Sequence, residues 1–194
     1  MSPAPTLFRA SLVTPLGPMV ALFSERALCA LEFDQPTRLG LVNARLGRFF
    51  DAPRLQSSDG EGDGDSDGNR DARAILRRTR EWLDAYFAGR FEEVTVPLDL
   101  RGTPFELRVW ALLRTIPAGV RTSYGELAAR LGSPTAARAV GGASRRNPIA
   151  LLVPCHRVVG HSGSLTGYGG GLHNKEWLLR HESGAATPPL SLFP

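Results

Sequence analysis

One stretch of the chain combines residue types that could do covalent chemistry. Asn147-Pro148-Ile149-Ala150-Leu151-Leu152-Val153 runs into Pro154-Cys155-His156-Arg157, and Val158-Val159-Gly160 follow. A thiol is a weak nucleophile until it ionises, and a neighbouring His or Arg lowers its pKa from about 8.5. The apolar run from Ile149 reads as a buried strand. Adjacent strand side chains point to opposite faces, so Cys155 and His156 can meet only across a bend or through a bridging water. Pro154 permits such a bend. The competing reading is an inert buried thiol beside a structural His. Cys29, inside an alternating apolar run without a basic neighbour, fits that inert reading better. Two cysteines in unlike surroundings are too few for a disulfide framework or a Cys-built zinc site, which points to a reduced, intracellular setting.

The elements around this stretch are helical. Thr103-Pro104-Phe105-Glu106 is a capping box with Pro at the first helical position, opening a helix to about Thr115. Ser123-Tyr124-Gly125-Glu126 is a second capping box, for a helix through Leu131. Gly132-Ser133-Pro134 breaks it, and Ser133 is the expected N-cap of a third helix, Thr135–Ala143. Two short helices joined by so short a turn read either as a helix-turn-helix or as an ordinary helical hairpin. The second of them carries Ala136, Ala137, Ala139, Gly141 and Gly142, with Arg138 its one long side chain. So bare a helix can approach another surface closely, although small residues also suit packing within a protein.

The first half of the chain reads differently. Leu7–Val13, Met19–Phe23 and Ala27–Phe33 are β-type runs, and Thr14-Pro15-Leu16-Gly17-Pro18 is turn chemistry, so an antiparallel meander is expected. Leu39, Val42, Leu46 and Phe49 stand at helical spacing, as do Ile75, Thr79, Trp82, Leu83 and Tyr86 in a helix over about Asp71–Ala88. Glu93–Leu98 alternates like a strand, and the domain boundary is expected near residues 99–102. Between the two helices, Ser57–Asn69 holds no apolar residue. Asp63-x-Asp65-x-Asp67-Gly68 matches the start of a calcium loop, but its twelfth position is Ala74 and not Glu. A mobile acidic insertion over 57–69 is the reading we adopt.

Composition bounds the partners. At 194 residues, 42% apolar and 22% charged, the chain is globular in type. No run approaches the roughly 18–20 apolar residues of a membrane span. Met1–Val20 lacks a basic start and an unbroken apolar stretch, so no secretory leader is expected. Residues 1–69 hold 6 basic and 9 acidic side chains, residues 70–194 hold 17 and 10, and all but one of the basic residues are Arg. A basic, Arg-dominated second half favours a polyanion, though a solvated surface explains it equally well.

Taken in order, the motifs resemble one family. Pro154-Cys155-His156-Arg157-Val158 resembles the active-site signature of the O6-alkylguanine-DNA alkyltransferases, or methylated-DNA–protein-cysteine methyltransferases. Ser123-Tyr124-Gly125-Glu126-Leu127-Ala128, Ala137-Arg138-Ala139-Val140-Gly141-Gly142-Ala143, Asn147-Pro148, Gly170-Gly171-Leu172 and Lys175-Glu176-Trp177-Leu178-Leu179-x-His181-Glu182 extend the likeness over about residues 103–182. The resemblance implies a two-domain α+β fold. A small ribonuclease-H-like sheet with helices would occupy 1–100, a winged-helix-like domain with the helix-turn-helix 101–184, and a flexible tail 185–194. It implies repair without a cofactor. Cys155 would take the alkyl group from O6-alkylguanine, and from O4-alkylthymine, in double-stranded DNA, once per molecule. His156 would assist ionisation of Cys155 through a water, oriented by Glu182. Tyr124 would donate to guanine N3, Asn147 would brace the turn, and Val158, Tyr168 and Gly169 would line the base pocket. Arg138 would fill the space of the flipped base, with Ala137, Ala139 and Gly141 in the minor groove and Arg145, Arg121 and Arg146 near phosphates. Gly169 replaces a small hydroxyl residue found in some members. No metal is expected, since Cys29 is the only Cys of a first half that has no His. A monomer in the cytoplasm, or in the nucleus of a eukaryote, completes the picture. A transcription regulator would share the helix-turn-helix but need neither Cys155 nor His156, and a cysteine hydrolase would need an oxyanion hole that the sequence does not announce.

Overall fold

The computed structural model describes residues 7–48, 50, 55–57 and 67–184. The chain divides into two compact units, residues 1–101 and 102–194.

In the first unit three antiparallel strands form a meander: β1 (Leu7–Thr14), β2 (Gly17–Phe23) and β3 (Leu28–Phe33). The tight link between β1 and β2 works because Gly17 adopts a φ of +99° and the Thr14 hydroxyl donates to the Gly17 carbonyl, 2.6 Å away. Pro36 starts α1 (Pro36–Leu46), which buries Val42 and Leu46. They join Leu7, Val20, Leu22, Cys29, Ala30 and Phe50 in one apolar cluster. Phe50, one residue beyond the spacing read from sequence, fills this place, while Phe49 lies outside the described residues. A short strand absent from the sequence reading, β4 (Leu55–Ser57), pairs parallel with β1, so the sheet order is β3-β2-β1-β4. The helix α2 (Asp67–Phe87) packs along β1, β2 and β3 and buries Ile75, Thr79, Trp82, Leu83 and Tyr86, as its periodicity requires.

Two expectations for this unit are corrected. Glu93–Leu98 forms no strand: only Leu28 and Leu98 make an isolated parallel bridge. The segment runs past the sheet edge, and its alternation reflects burial of Val96 alone among its strictly apolar positions before Leu98. The acidic insertion is shorter than 57–69, since Ser57 closes β4 and Asp67 already belongs to α2. Its remainder, 58–66, lies outside the described residues. A helix beginning at Asp67 also leaves no calcium loop running from Asp63 to Ala74.

The second unit opens with α3 (Pro104–Leu113), whose capping box is complete. Thr103 Oγ accepts from the Glu106 amide, and the Glu106 carboxylate accepts from the Thr103 amide. A two-residue strand, β5 (Thr122–Ser123), leads into α4 (Tyr124–Arg130), capped the same way by Ser123 and Glu126. A 3₁₀ turn (Pro134–Ala136) precedes α5 (Ala137–Arg145). The third helix thus starts later than expected, and Ser133 makes no capping bond through its side chain. Its amide instead closes the end of α4 on the Ala128 carbonyl. A second 3₁₀ turn (Cys155–Arg157), the strand β6 (Val158–Val159) parallel to β5, and α6 (Leu172–Glu182) complete the unit. No helix of the described residues is long and apolar enough to cross a membrane.

Candidate active site

The apolar run before Cys155 is buried, but it is a compact turn and not a strand. Asn147 explains why. Its side-chain oxygen accepts from the Ile149 amide at 3.0 Å, while its Nδ2 donates to the carbonyls of Val153 at 2.8 Å and Ile149 at 3.2 Å. The Val153 amide also reaches the Ile149 carbonyl, and Leu151 sits at a φ of +69°. Those bonds satisfy locally the groups a strand would offer to a neighbour, so the chain loops on itself. The same Nδ2 lies 3.4 Å from Cys155 Sγ. Asn147 is 2% exposed and holds the turn from inside.

Cys155 therefore begins a 3₁₀ turn, and its neighbours need not alternate as in a strand. From Leu151 to Val159 it is the one residue that is not buried. His156 is 0% exposed, and its Nε2 lies 2.8 Å from Glu182 Oε1. A carboxylate only accepts, so this contact assigns the proton to Nε2 and leaves Nδ1 as the basic nitrogen. Nδ1 has no hydrogen-bond partner among the described residues. Glu182 also receives Arg157, with Nε at 2.9 Å from Oε2 and a terminal nitrogen at 2.8 Å from Oε1, and the Gly119 amide at 3.2 Å. Burial would raise the Glu182 carboxyl, but the hydrogen bonds and charges of His156 and Arg157 outweigh it and hold the group well below the usual carboxylate range. Burial lowers His156, with Glu182 opposing, so the imidazole is neutral. The result is a neutral base braced by an ionised acid, itself neutralised by an arginine. Cys29 is the contrast: it is fully buried in β3, and burial first, then Asp99, pushes its thiol up to about 11.

The remaining residues read from sequence gather around this centre or on α5. Tyr124, half-buried, directs its hydroxyl to the Thr166 carbonyl at 3.4 Å, and a Cβ on Gly141 would meet its ring at 3.7 Å. Burial, and then the charge of nearby Cys155, keep its pKa above the ordinary value, so it remains a donor. The Tyr168 ring stands edge-on to His156, with centroids 6.3 Å apart. Val158 lies in β6, and Gly169 sits half-buried in the loop before α6. Arg138, Ala139 and Arg145 are exposed on α5, where Ala137 and Gly141 are half-buried. Arg121 is exposed, whereas Arg146 turns to Glu106 with Nε 2.5 Å from Oε1. Among the described residues no group of three or more His, Cys, Asp or Glu could hold a metal ion.

Three contributors were not assigned roles from sequence: Arg157, Gly119 and Lys175. Lys175 is fully buried on α6, and its Nζ donates to the carbonyls of Val158 at 2.6 Å and Thr166 at 2.7 Å. Burial lowers it to about 8, with Cys155 opposing. It ties the strand after Cys155 to the loop that also receives Tyr124. The one available signal was its place in the motif Lys175-Glu176-Trp177-Leu178-Leu179.

Comparison with known proteins gives the family. The model of the 6-O-methylguanine DNA methyltransferase DNA-binding domain matches residues 104–184, and that of the family's ribonuclease-like domain matches residues 7–100. A methylated-DNA–protein-cysteine methyltransferase of Shigella flexneri is 40% identical over 178 residues, covering 91% of this chain and 95% of the relative. The protein of that name from Mycobacterium tuberculosis is 59% identical over 111 residues, or 57% of this chain and 67% of its own length. The crystal structure of Mycobacterium tuberculosis OGT in complex with DNA superposes with a TM-score of 0.74 at 38% identity, covering 96% of this chain and 99% of that one. The chain belongs to the 6-O-methylguanine DNA methyltransferase family, whose members repair DNA by transferring an alkyl group to a cysteine of their own.

Proposed function

We propose that this protein, as a monomer, takes the alkyl group of O6-alkylguanine, and of O4-alkylthymine, in double-stranded DNA onto Cys155. The observation that carries this reading is the partly buried Cys155 beside the buried His156–Glu182–Arg157 cluster. The thiol proton passes through a water to His156 Nδ1, and Glu182 supports the charge that forms. Sγ then bonds to the alkyl carbon while the carbon–O6 bond breaks, and its electron pair leaves on the guanine. Tyr124 donates to guanine N3 as that negative charge develops. The product is a thioether with no hydrolytic route back to a thiol, so each molecule acts once. The base must leave the duplex, at a cost of a few kcal/mol. Arg138 occupies its space from the minor-groove side, while the bare face of α5 permits close approach. Val158, Tyr168 and Gly169 line the pocket, and Arg145 and Arg121 meet phosphates. Such a thiol requires a compartment that holds both DNA and reductant, which in a bacterium is the cytoplasm. Mass spectrometry after mixing with O6-methylguanine duplex tests the reading. One methyl on Cys155 is expected, while repeated turnover against excess duplex would overturn it.

A further inference from the structure

The joint between α5 and the active-site turn carries an ion pair that the transfer chemistry does not use. Arg146 caps α5 at its C-terminus, immediately before Asn147. Its side chain runs back over the last turn, so closely that a Cβ on Gly142 would stand 3.3 Å from one terminal nitrogen. Its Nε meets Glu106 Oε1 on α3 at 2.5 Å. Glu106 is 4% exposed, and its other oxygen holds the Thr103 amide at 2.9 Å, so the carboxylate cannot turn away without uncapping α3. One turn further along α3, Trp110 Nε1 donates to the Ala143 carbonyl at 2.9 Å. Two side chains spaced i and i+4 on α3 thus grip the last turn of α5 at two points. The turn beyond it is tied to α5 by the Asn147 amide on the Ser144 carbonyl, and it is braced from within by the four bonds of the Asn147 side chain. The grip therefore bears on the tilt of α5 more directly than on the setting of Cys155.

We propose that Glu106 and Arg146 are positioning residues for repair in duplex DNA, holding α5 at the angle from which Arg138 enters the helix. This rests on the role given above to α5. It also reassigns Arg146, which the sequence alone places among the phosphate contacts. A phosphate contact would act through counterions, but a positioning residue acts through its partner.

The test is a double-mutant cycle on the full chain, with Arg146→Met, Glu106→Gln and the pair combined. Gln still accepts from the Thr103 amide, so Glu106→Gln removes the charge and keeps the cap. Three quantities are measured on variants whose circular dichroism matches the parent: methyl transfer from O6-methylguanine duplex, the salt dependence of duplex affinity, and alkylation of Cys155 by iodoacetamide. Each single change should slow duplex transfer about five- to tenfold, and the combination should slow it no further. Iodoacetamide reactivity should stay within twofold, and the salt slope should match the parent. Arg146→Lys, a charge without the planar fork, should recover part of the loss. Additive losses would overturn the proposal, as would a parallel fall in iodoacetamide reactivity, which would mark a merely structural pair. So would a salt slope reduced by about one contact in Arg146→Met alone, since that is a phosphate contact. A parent protein that takes no methyl would count against the proposed function itself. The cycle in duplex affinity would then still judge the pair, with coupling expected and independence fatal.

Discussion

Cys155 and Cys29 are chemically one residue type in two environments, and that difference sets the first prediction. Cys155→Ser keeps the shape but replaces an ionisable thiol, so transfer should vanish while duplex affinity stays within a few-fold. Cys29→Ser should leave transfer intact in a folded protein, because burial keeps that thiol protonated at neutral pH. Radiolabel transfer and a binding titration on both variants check this. Glu182→Gln removes the countercharge of Arg157 and leaves one accepting oxygen where His156, Arg157 and the Gly119 amide now share two. Transfer should fall at least a hundredfold, and stability by about 3 kcal/mol, as for a buried pair broken on one side. Acid should act on the same cluster. The folded pKa of His156 lies below its unfolded value of about 6.5, so below that pH the unfolded chain binds a proton the folded one refuses. Stability is then complete above about pH 6.5 and declines as pH falls. Glu182, also depressed, adds a second loss below about pH 4.3. A melting series from pH 7.5 to 4 should show the melting temperature dropping in that order, and a flat profile from 7.5 to 5 would contradict the neutral His156. At this scale the sequence exposed what chemistry demands, a thiol beside an imidazole and an arginine. It assigned no role to Lys175 or Gly119, whose contacts involve backbone carbonyls and, for Gly119, its own backbone amide, groups that residue type does not distinguish.

Among elements, the turn ahead of Cys155 shows where pattern reading stops. Five apolar residues between two prolines fit a buried strand and a buried turn equally well, since both exclude water. Asn147 decides between them by supplying the hydrogen bonds inside the loop. The capping boxes of α3 and α4 were legible because their signal is local, four residues long and made of side chains. The short parallel strand β4 was not, since its partner is about fifty residues away. The turn holding Gly119 offers an element-scale test. Gly119 has a φ of +76°, and a Cβ there would stand 3.0 Å from the Glu182 carbonyl. Gly119→Ala should therefore cost about 1–2 kcal/mol from the left-handed backbone alone, with the clash adding to it. Its amide also donates to Glu182, so transfer should slow as well. Chemical denaturation would reveal this, and an unchanged midpoint would show that the turn relaxes freely. Arg138→Ala acts on α5 instead. Transfer from duplex should fall strongly, while iodoacetamide alkylation of Cys155 should be nearly unaffected, and equal losses would remove Arg138 from flipping.

For the whole molecule, charge distribution is the property the sequence displayed most openly, and it bears on the segment between β4 and α2. Residues 58–66 contain Asp59, Glu61, Asp63 and Asp65 but no apolar side chain. Nothing in their composition offsets the entropy cost of ordering them. The proposed chemistry, by contrast, draws only on residues of the second unit, between Gly119 and Glu182. Replacing 58–66 with a short Gly-Ser linker should therefore leave methyl transfer within a few-fold. The replaced span must stop there: the longer span 57–69 would take the end of β4 and the first turn of α2 with it. Removing four acidic groups raises the net charge from +4 to +8. Binding to a polyanion gains from net positive charge at long range, and salt screens that gain over a Debye length of about 10 Å at 0.1 M. Duplex affinity should accordingly rise modestly at low salt, and the difference from the parent should close by about 0.5 M. Parallel titrations of the two proteins across that salt range decide the matter. Lost transfer in a folded deletion, or an affinity gain that survives high salt, would show that these acidic residues do more than repel DNA.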